Sequence, residues 1–209
     1  MRARNVALLT IALVLLFAGN AMAGVIFDLS PTNGTSIRES GDGSGQGVIV
    51  DTTTTITDMA FYLNMPNGGD LKFMIWDSAN TNMLFSSVAS GIAASNTATW
   101  VASSPFSFTL QAGAKYWFGI IADNNIGLGY IYPPITYSAN GLTADIGGNV
   151  NYDNYANPVY DGFGGAEIGL QLTAGSSSIP EPGSVFLLGS GVLGLAGVLR
   201  RKINQRSGC

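Results

Sequence analysis

Leu71-Lys72-Phe73-Met74-Ile75-Trp76-Asp77 is the stretch on which the fold class turns. Side chains along a strand point alternately to opposite faces, so Leu71, Phe73 and Ile75 share one side. The same alternation returns in Phe106-Ser107-Phe108-Thr109-Leu110, where apolar residues take turns with hydroxyl-bearing ones, as a half-buried strand requires. Working outward, strands are expected over 25–29, 47–50, 56–63, 70–77, 83–89, 97–101, 106–110, 115–122, 129–132 and 167–173. Turn signals separate them: Pro66-Asn67-Gly68-Gly69, Asn80-Thr81-Asn82, Asp123-Asn124-Asn125 and Asn140-Gly141. No stretch between Gly24 and Ile179 repeats its apolar residues with a helical period.

Short strands at this spacing predict an all-β chain built as a single β-sandwich or jelly-roll-like domain over residues 24–176. Gly41-Asp42-Gly43-Ser44-Gly45-Gln46-Gly47 precedes a strand and not a helix, so it is expected to be a flexible loop and no phosphate cradle. Leu110-Gln111-Ala112-Gly113-Ala114-Lys115-Tyr116 resembles a tyrosine corner, in which a tyrosine hydroxyl bonds backward to the backbone across an arch between strands.

The two ends are of another kind. Arg2 and Arg4 precede an apolar run from Val6 to Ala18, and Ala21-Met22-Ala23 follows as a small-residue cleavage site. Residues 1–23 therefore read as a signal peptide cut after Ala23 by signal peptidase. At the other end Pro180-Glu181-Pro182 is followed by an apolar run from Val185 to Leu199 and then by Arg200-Arg201-Lys202. Fifteen helical residues span roughly 22 Å, short of the ~30 Å hydrocarbon core. Gly183 and Ser184 bring the run to the low end of the spanning range, and the basic cluster should stay cytoplasmic. A short, glycine-rich span suits a temporary stop better than a lasting anchor.

In that order, the Pro-Glu-Pro, the glycine-rich helix and the arginine pair resemble the PEP-CTERM sorting signal. The resemblance implies an exosortase-type enzyme of Gram-negative bacteria as partner, with Pro180, Glu181 and Pro182 as its recognition motif and Arg200 and Arg201 as the basic stop. The N-terminal signal helix (1–23) and a short C-terminal transmembrane helix within the sorting signal (177–209) would then flank the exported domain. The stretch from Ile56 to Asp123 also resembles the β-sandwich modules that often precede such tails. The competing reading of the tail is an ordinary membrane anchor behind a proline-rich linker.

Composition narrows the chemistry. Between Gly24 and Ile179 three basic side chains (Arg38, Lys72, Lys115) meet twelve acidic ones, a net charge of −9. A domain so acidic repels phosphate backbones, which argues against nucleic acid as a partner. The sequence contains no histidine, and its one cysteine is Cys209. Ser-His and Cys-His nucleophile pairs and the usual zinc sites are thereby excluded. A glycosidase would need two placed carboxylates, and nothing in the sequence singles out a pair.

Two binding chemistries stand open. Six of the eight tyrosines lie between residues 130 and 160, interleaved with asparagines. Tyr130, Tyr132, Tyr152, Tyr155 and Tyr160 would give an aromatic platform for a sugar, or else the segment is a long surface loop held by its own packing. Asp123, Asp153 and Asp161 could supply oxygens to a structural calcium, although no Asp-x-Asp-x-Asp-Gly loop is present and turns alone explain such residues. The sequence as a whole reads as a non-enzymatic exported protein without cofactor. It would be held briefly in the inner membrane, then delivered to the cell surface or extracellular matrix, where exopolysaccharide is the expected associate. A carbohydrate-binding module and a secreted glycan hydrolase are the alternatives.

Overall fold

Alternating strands carry one apolar face each, and two sheets must meet to remove those faces from water. The computed structural model describes residues 24–175, without the side chains of 146–150 and 161–163. Its strands in chain order are β1 (Gly24–Leu29), β2 (Thr35–Arg38), β3 (Gly43–Val50), β4 (Thr54–Met65), β5 (Gly69–Trp76), β6 (Met83–Ile92), β7 (Ser95–Ala102) and β8 (Phe108–Leu110). They continue with β9 (Lys115–Ala122), β10 (Ile126–Ile131), β11 (Ser138–Ala139), β12 (Leu142–Asp153), β13 (Val159–Phe163), β14 (Glu167–Ile168) and β15 (Leu170–Ala174). No helix occurs among the described residues. Residues 1–23, with Ala21 and Ala23, and the tail, with Pro180, Glu181, Pro182, Arg200 and Arg201, lie outside them.

All strand pairs are antiparallel. In the first sheet β4 is central: Phe61 pairs with Leu170 of β15 on one side and Val101 of β7 on the other. Further along β4, Leu63 pairs with Leu128 of β10 and with Thr99 of β7. β1 lies beyond β15, while β2 and β14 pair with β10. The second sheet runs β12-β3-β9-β5-β6, with β11 and β13 at the outer edge of β12.

Leu71, Phe73 and Ile75 all point inward, as their alternation predicts, together with Tyr116, Phe118 and Ile120 of β9. They meet Met59, Phe61 and Leu63 from β4, and the Phe61 and Phe73 rings lie 6.1 Å apart across the sheets. Burying each such side chain is worth about 1.5–3 kcal/mol. The chain is an antiparallel two-sheet sandwich.

The tyrosine corner is present at the crossing from β8 in the first sheet to β9 in the second. The backbone N–H of Gln111 donates to the Tyr116 hydroxyl at 3.2 Å. Gly113 takes φ 79°, a left-handed conformation that glycine adopts without steric cost.

Three segments differ from expectation, the first being Thr35 to Arg38, which lies outside every expected strand and forms β2. Gly43 to Gly47, expected as loop, belongs to β3 in the interior of the second sheet. The Tyr/Asn segment, whose alternatives were a sugar platform and a surface loop, forms β11, β12 and β13.

Candidate functional site

Glycines determine what the outer face of the second sheet can hold. Gly43, Gly45 and Gly47 fall on that face of β3, and the register sets Gly45 beside Gly119 of β9. The pair leaves a bare floor, and the Tyr152 ring lies on it. A Cβ added to Gly119 would come within 2.6 Å of Tyr152 Cε2, and one on Gly45 within 2.9 Å. Trp76 stacks on Tyr152 with ring centres 5.4 Å apart and planes 19° from parallel. Met74, Trp117 and Ile121 complete this second cluster, and Tyr155 packs against it.

Polar tips fasten the cover. The Tyr152 hydroxyl donates to Asn80 Oδ1 at 3.1 Å, with Asn80 held in the left-handed region at φ 54°. Lys72 Nζ donates to the carbonyls of Tyr155 at 2.5 Å and Ala156 at 3.1 Å, and sits 4.7 Å from the centre of the Tyr155 ring. Lys115 pairs with Asp145 and lies 4.1 Å from the Trp117 ring centre. Burial pushes the Tyr152 phenol well above its ordinary range. The Tyr155 phenol is also raised, first by burial and then by the charges of Asp70 and Asp123.

The five candidate sugar-binding tyrosines do not gather into one surface. Tyr152 is only 1% exposed and serves as packing. Tyr155 is half-buried beside it. Tyr160 is the cross-strand partner of Tyr152 and is exposed. Tyr130 lies half-buried within β10 of the other sheet, and Tyr132 is exposed just beyond that strand.

The candidate calcium ligands are likewise apart. Asp123 Oδ1 accepts the N–H of Asp70 at 2.8 Å, and Asp153 Oδ1 accepts that of Asn154 at 2.7 Å. The Asp161 side chain lies outside the described residues. No group of three acidic side chains converges among the described residues.

The structure adds a site the sequence did not single out. β2 pairs with β10 so that Ser36 and Arg38 share the inward face of Leu128 and Ile126. A cavity of about 380 Å³ opens there, lined by Thr35, Ser36, Arg38, Leu128, Tyr130 and Ile168 among others. Arg38 Nε donates to Ser44 Oγ of the second sheet at 3.0 Å, and Ser44 Oγ donates to Asn151 Oδ1 at 3.4 Å. Next to it, Gln46 Oε1 accepts the Ile168 N–H at 3.1 Å, a buried polar tie between the two sheets. Arg38 also lines a second hollow of about 60 Å³, together with Asp42, Gly43, Asn151 and Tyr152.

Glu167, fully buried, accepts the Ile135 N–H through Oε2 at 3.1 Å, while Oε1 has no partner. Burial raises its carboxyl above the usual range, the Ile135 bond opposes that shift, and the charge of Asp145 adds to it. The Arg38 site escaped sequence reading because β2 has no apolar alternation. The one available signal was the scarcity of cations: Arg38 is among only three in the exported stretch.

Beyond the sandwich, residues 178–202 match the family model of the PEP-CTERM protein-sorting motif. The chain carries a PEP-CTERM tail. That motif is the mark of an exported protein handled by an exosortase-type enzyme, and its matched span takes in Pro180, Glu181, Pro182, Arg200 and Arg201. No curated protein matches the chain. Among solved structures it is similar to a carbohydrate-binding module of Cellvibrio mixtus lichenase 5A in complex with cellotriose. The identity is 15%, over 51% of this chain and 93% of that one, with a TM-score of 0.32. It is also similar to Eiger TNF from S. frugiperda, at 8% identity over 77% of this chain and 96% of that one, with a TM-score of 0.34. Likenesses this distant have no bearing on what this chain binds.

Proposed function

We propose that this chain is a non-enzymatic surface or matrix protein whose sandwich is the cargo of its PEP-CTERM tail. The observation that supports this is the motif at 178–202, a few residues along the sequence from Ala174, where the last strand among the described residues ends. Signal peptidase would release the chain at Ala23, and the apolar run would halt in the inner membrane with Arg200 and Arg201 on the cytoplasmic side. An exosortase-type enzyme would then act near Pro180 to Pro182, leaving the acidic domain outside among exopolysaccharide. No cofactor is needed for this role. The chain has no histidine, which excludes Ser-His and Cys-His hydrolytic pairs, and Glu167 of β14 is fully buried with Oε2 accepting the Ile135 N–H.

Intact mass of the mature protein from its native host tests the reading. The expected mass lacks residues 1–23 and the stretch from Val185 onward, and Glu181→Ala should accumulate the unprocessed form in the membrane. A mature protein that retains Val185 to Arg201 would refute it. A second reading, carbohydrate binding, has the exposed Tyr132 and Tyr160 and the Arg38 cavity in its support. Pull-down on the host's polysaccharide, with wild type and a Tyr132→Ala, Tyr160→Ala double variant, tests the aromatic part. Undiminished capture by the variant would remove those two rings from the site.

A further inference from the structure

We infer that the Arg38 cavity is a binding site for a carboxylate-bearing sugar of the uronic acid class. The inference deepens the carbohydrate reading and rests on it, not on the sorting reading. Size comes first: about 380 Å³ lies within the range of small-molecule sites. Charge decides the class. Arg38 is the only cation lining the cavity, and among the described residues no carboxylate lies within ion-pair distance of it. Lys72 and Lys115 are both committed to partners on the outer face of the second sheet. Of the five N–H groups of a guanidinium, the Ser44 bond uses the one on Nε. That bond fixes the plane of the group, while its terminal nitrogens have no protein acceptor among the described residues.

A planar fork with free terminal donors matches a carboxylate in two parallel bonds. One positive charge balances one carboxylate. It does not balance a phosphate monoester, which carries about −1.5 to −2, in a stretch with a net charge of −9. The remaining lining is of two kinds. Ser36 and Tyr130 supply hydroxyls that both donate and accept, whereas Leu128, Ile168 and Ala166 supply an apolar wall. A pyranose ring has the same division, with hydroxyls at its rim and C–H groups on its faces. An uncharged sugar leaves the guanidinium unanswered, and an apolar acid leaves the hydroxyls unanswered.

The test is calorimetric titration of the full chain in detergent with D-glucuronate, D-glucose and cyclohexanecarboxylate. Binding of glucuronate at least tenfold tighter than either other probe is expected, as is a tenfold or greater loss in Arg38→Gln. Ser36→Phe, which fills the cavity without touching Ser44, should also abolish binding while the thermal midpoint stays near wild type. It settles the matter should Arg38→Gln fail to fold. Equal binding of glucose, equal binding of cyclohexanecarboxylate, or unchanged affinity in either variant overturns the inference. A parallel pull-down on the host's polysaccharide separates the two levels. Capture that survives Arg38→Gln without glucuronate binding sinks only the cavity, and no capture of any glycan sinks the carbohydrate reading as well.

Discussion

On its inner face the second sheet buries Phe73, Ile75, Phe118 and Ile120 against Met59 and Phe61 of the opposite sheet. On its outer face it buries Met74, Trp76, Trp117 and Ile121 beneath Tyr152 of its own β12. The inner contact is apolar on both sides and needs only that two sheets meet. The outer contact needs a glycine floor at Gly45 and Gly119, an aromatic laid flat on it, and polar tips anchored to Asn80 and to the carbonyls of Tyr155 and Ala156. Non-directional burial holds the sandwich together, and a short directional set of contacts holds its cover.

The largest effect should come from the inner face. Phe73→Ala removes a fully buried ring between the sheets and should cost about 3–5 kcal/mol. Thermal unfolding of the full chain in detergent, followed by tryptophan fluorescence, should show one transition at a lower midpoint. A midpoint like wild type would mean that the sheets do not depend on this contact.

Next is the glycine floor. Gly119→Ala should cost about 1–3 kcal/mol, because the new methyl group meets Tyr152 and Met74 side chains. In a Tyr152→Ala background the same change should be nearly free, and the coupling in a double-mutant cycle measures the contact between position 119 and the Tyr152 ring. Equal cost in both backgrounds would show that Tyr152 does not rest on Gly119.

Smaller again is the tyrosine corner. Tyr116→Phe leaves the Gln111 N–H without its acceptor and should cost about 1 kcal/mol, with the sheets otherwise unchanged. An unaltered midpoint would make the corner a passive result of the crossover.

The smallest effect concerns Glu167, whose carboxyl is raised by burial. A carboxyl with a folded pKa above its unfolded value favours the folded state when protonated. That contribution is complete below the unfolded value and is lost as pH rises through the folded one. Glu167→Gln should therefore raise the unfolding midpoint modestly at pH 7, and the gain should shrink as pH falls through the raised pKa of Glu167. A gain that does not change with pH would remove the buried charge as its cause.

How much could be read in advance follows the same division. The stretch over 56–122 was legible because one face of each strand is apolar, and the period of two reports which face is inside. Ser44 and Gln46 of β3 point inward as the pleat requires, yet they are polar, and their neighbours on the other face are glycines. With neither face apolar, Gly43 to Gly47 gave no strand signal and looked like loop. β12 was hidden differently. It crosses β3 with a register shift between Ala144 and Asn149, so its pattern of facing changes within the strand. Tyr152 gives no hint in sequence that it is buried, because its partners Trp76 and Asn80 lie more than seventy residues earlier.

The sequence by itself determined the all-strand class, the tyrosine corner and the sorting tail, since each is written in neighbouring residues with a period or an order of its own. Tertiary structure alone decided that Tyr152 is a lid, that a glycine run is a floor, and that Arg38 faces a cavity. Those outcomes depend on strand register, which brings together residues that local spacing cannot connect.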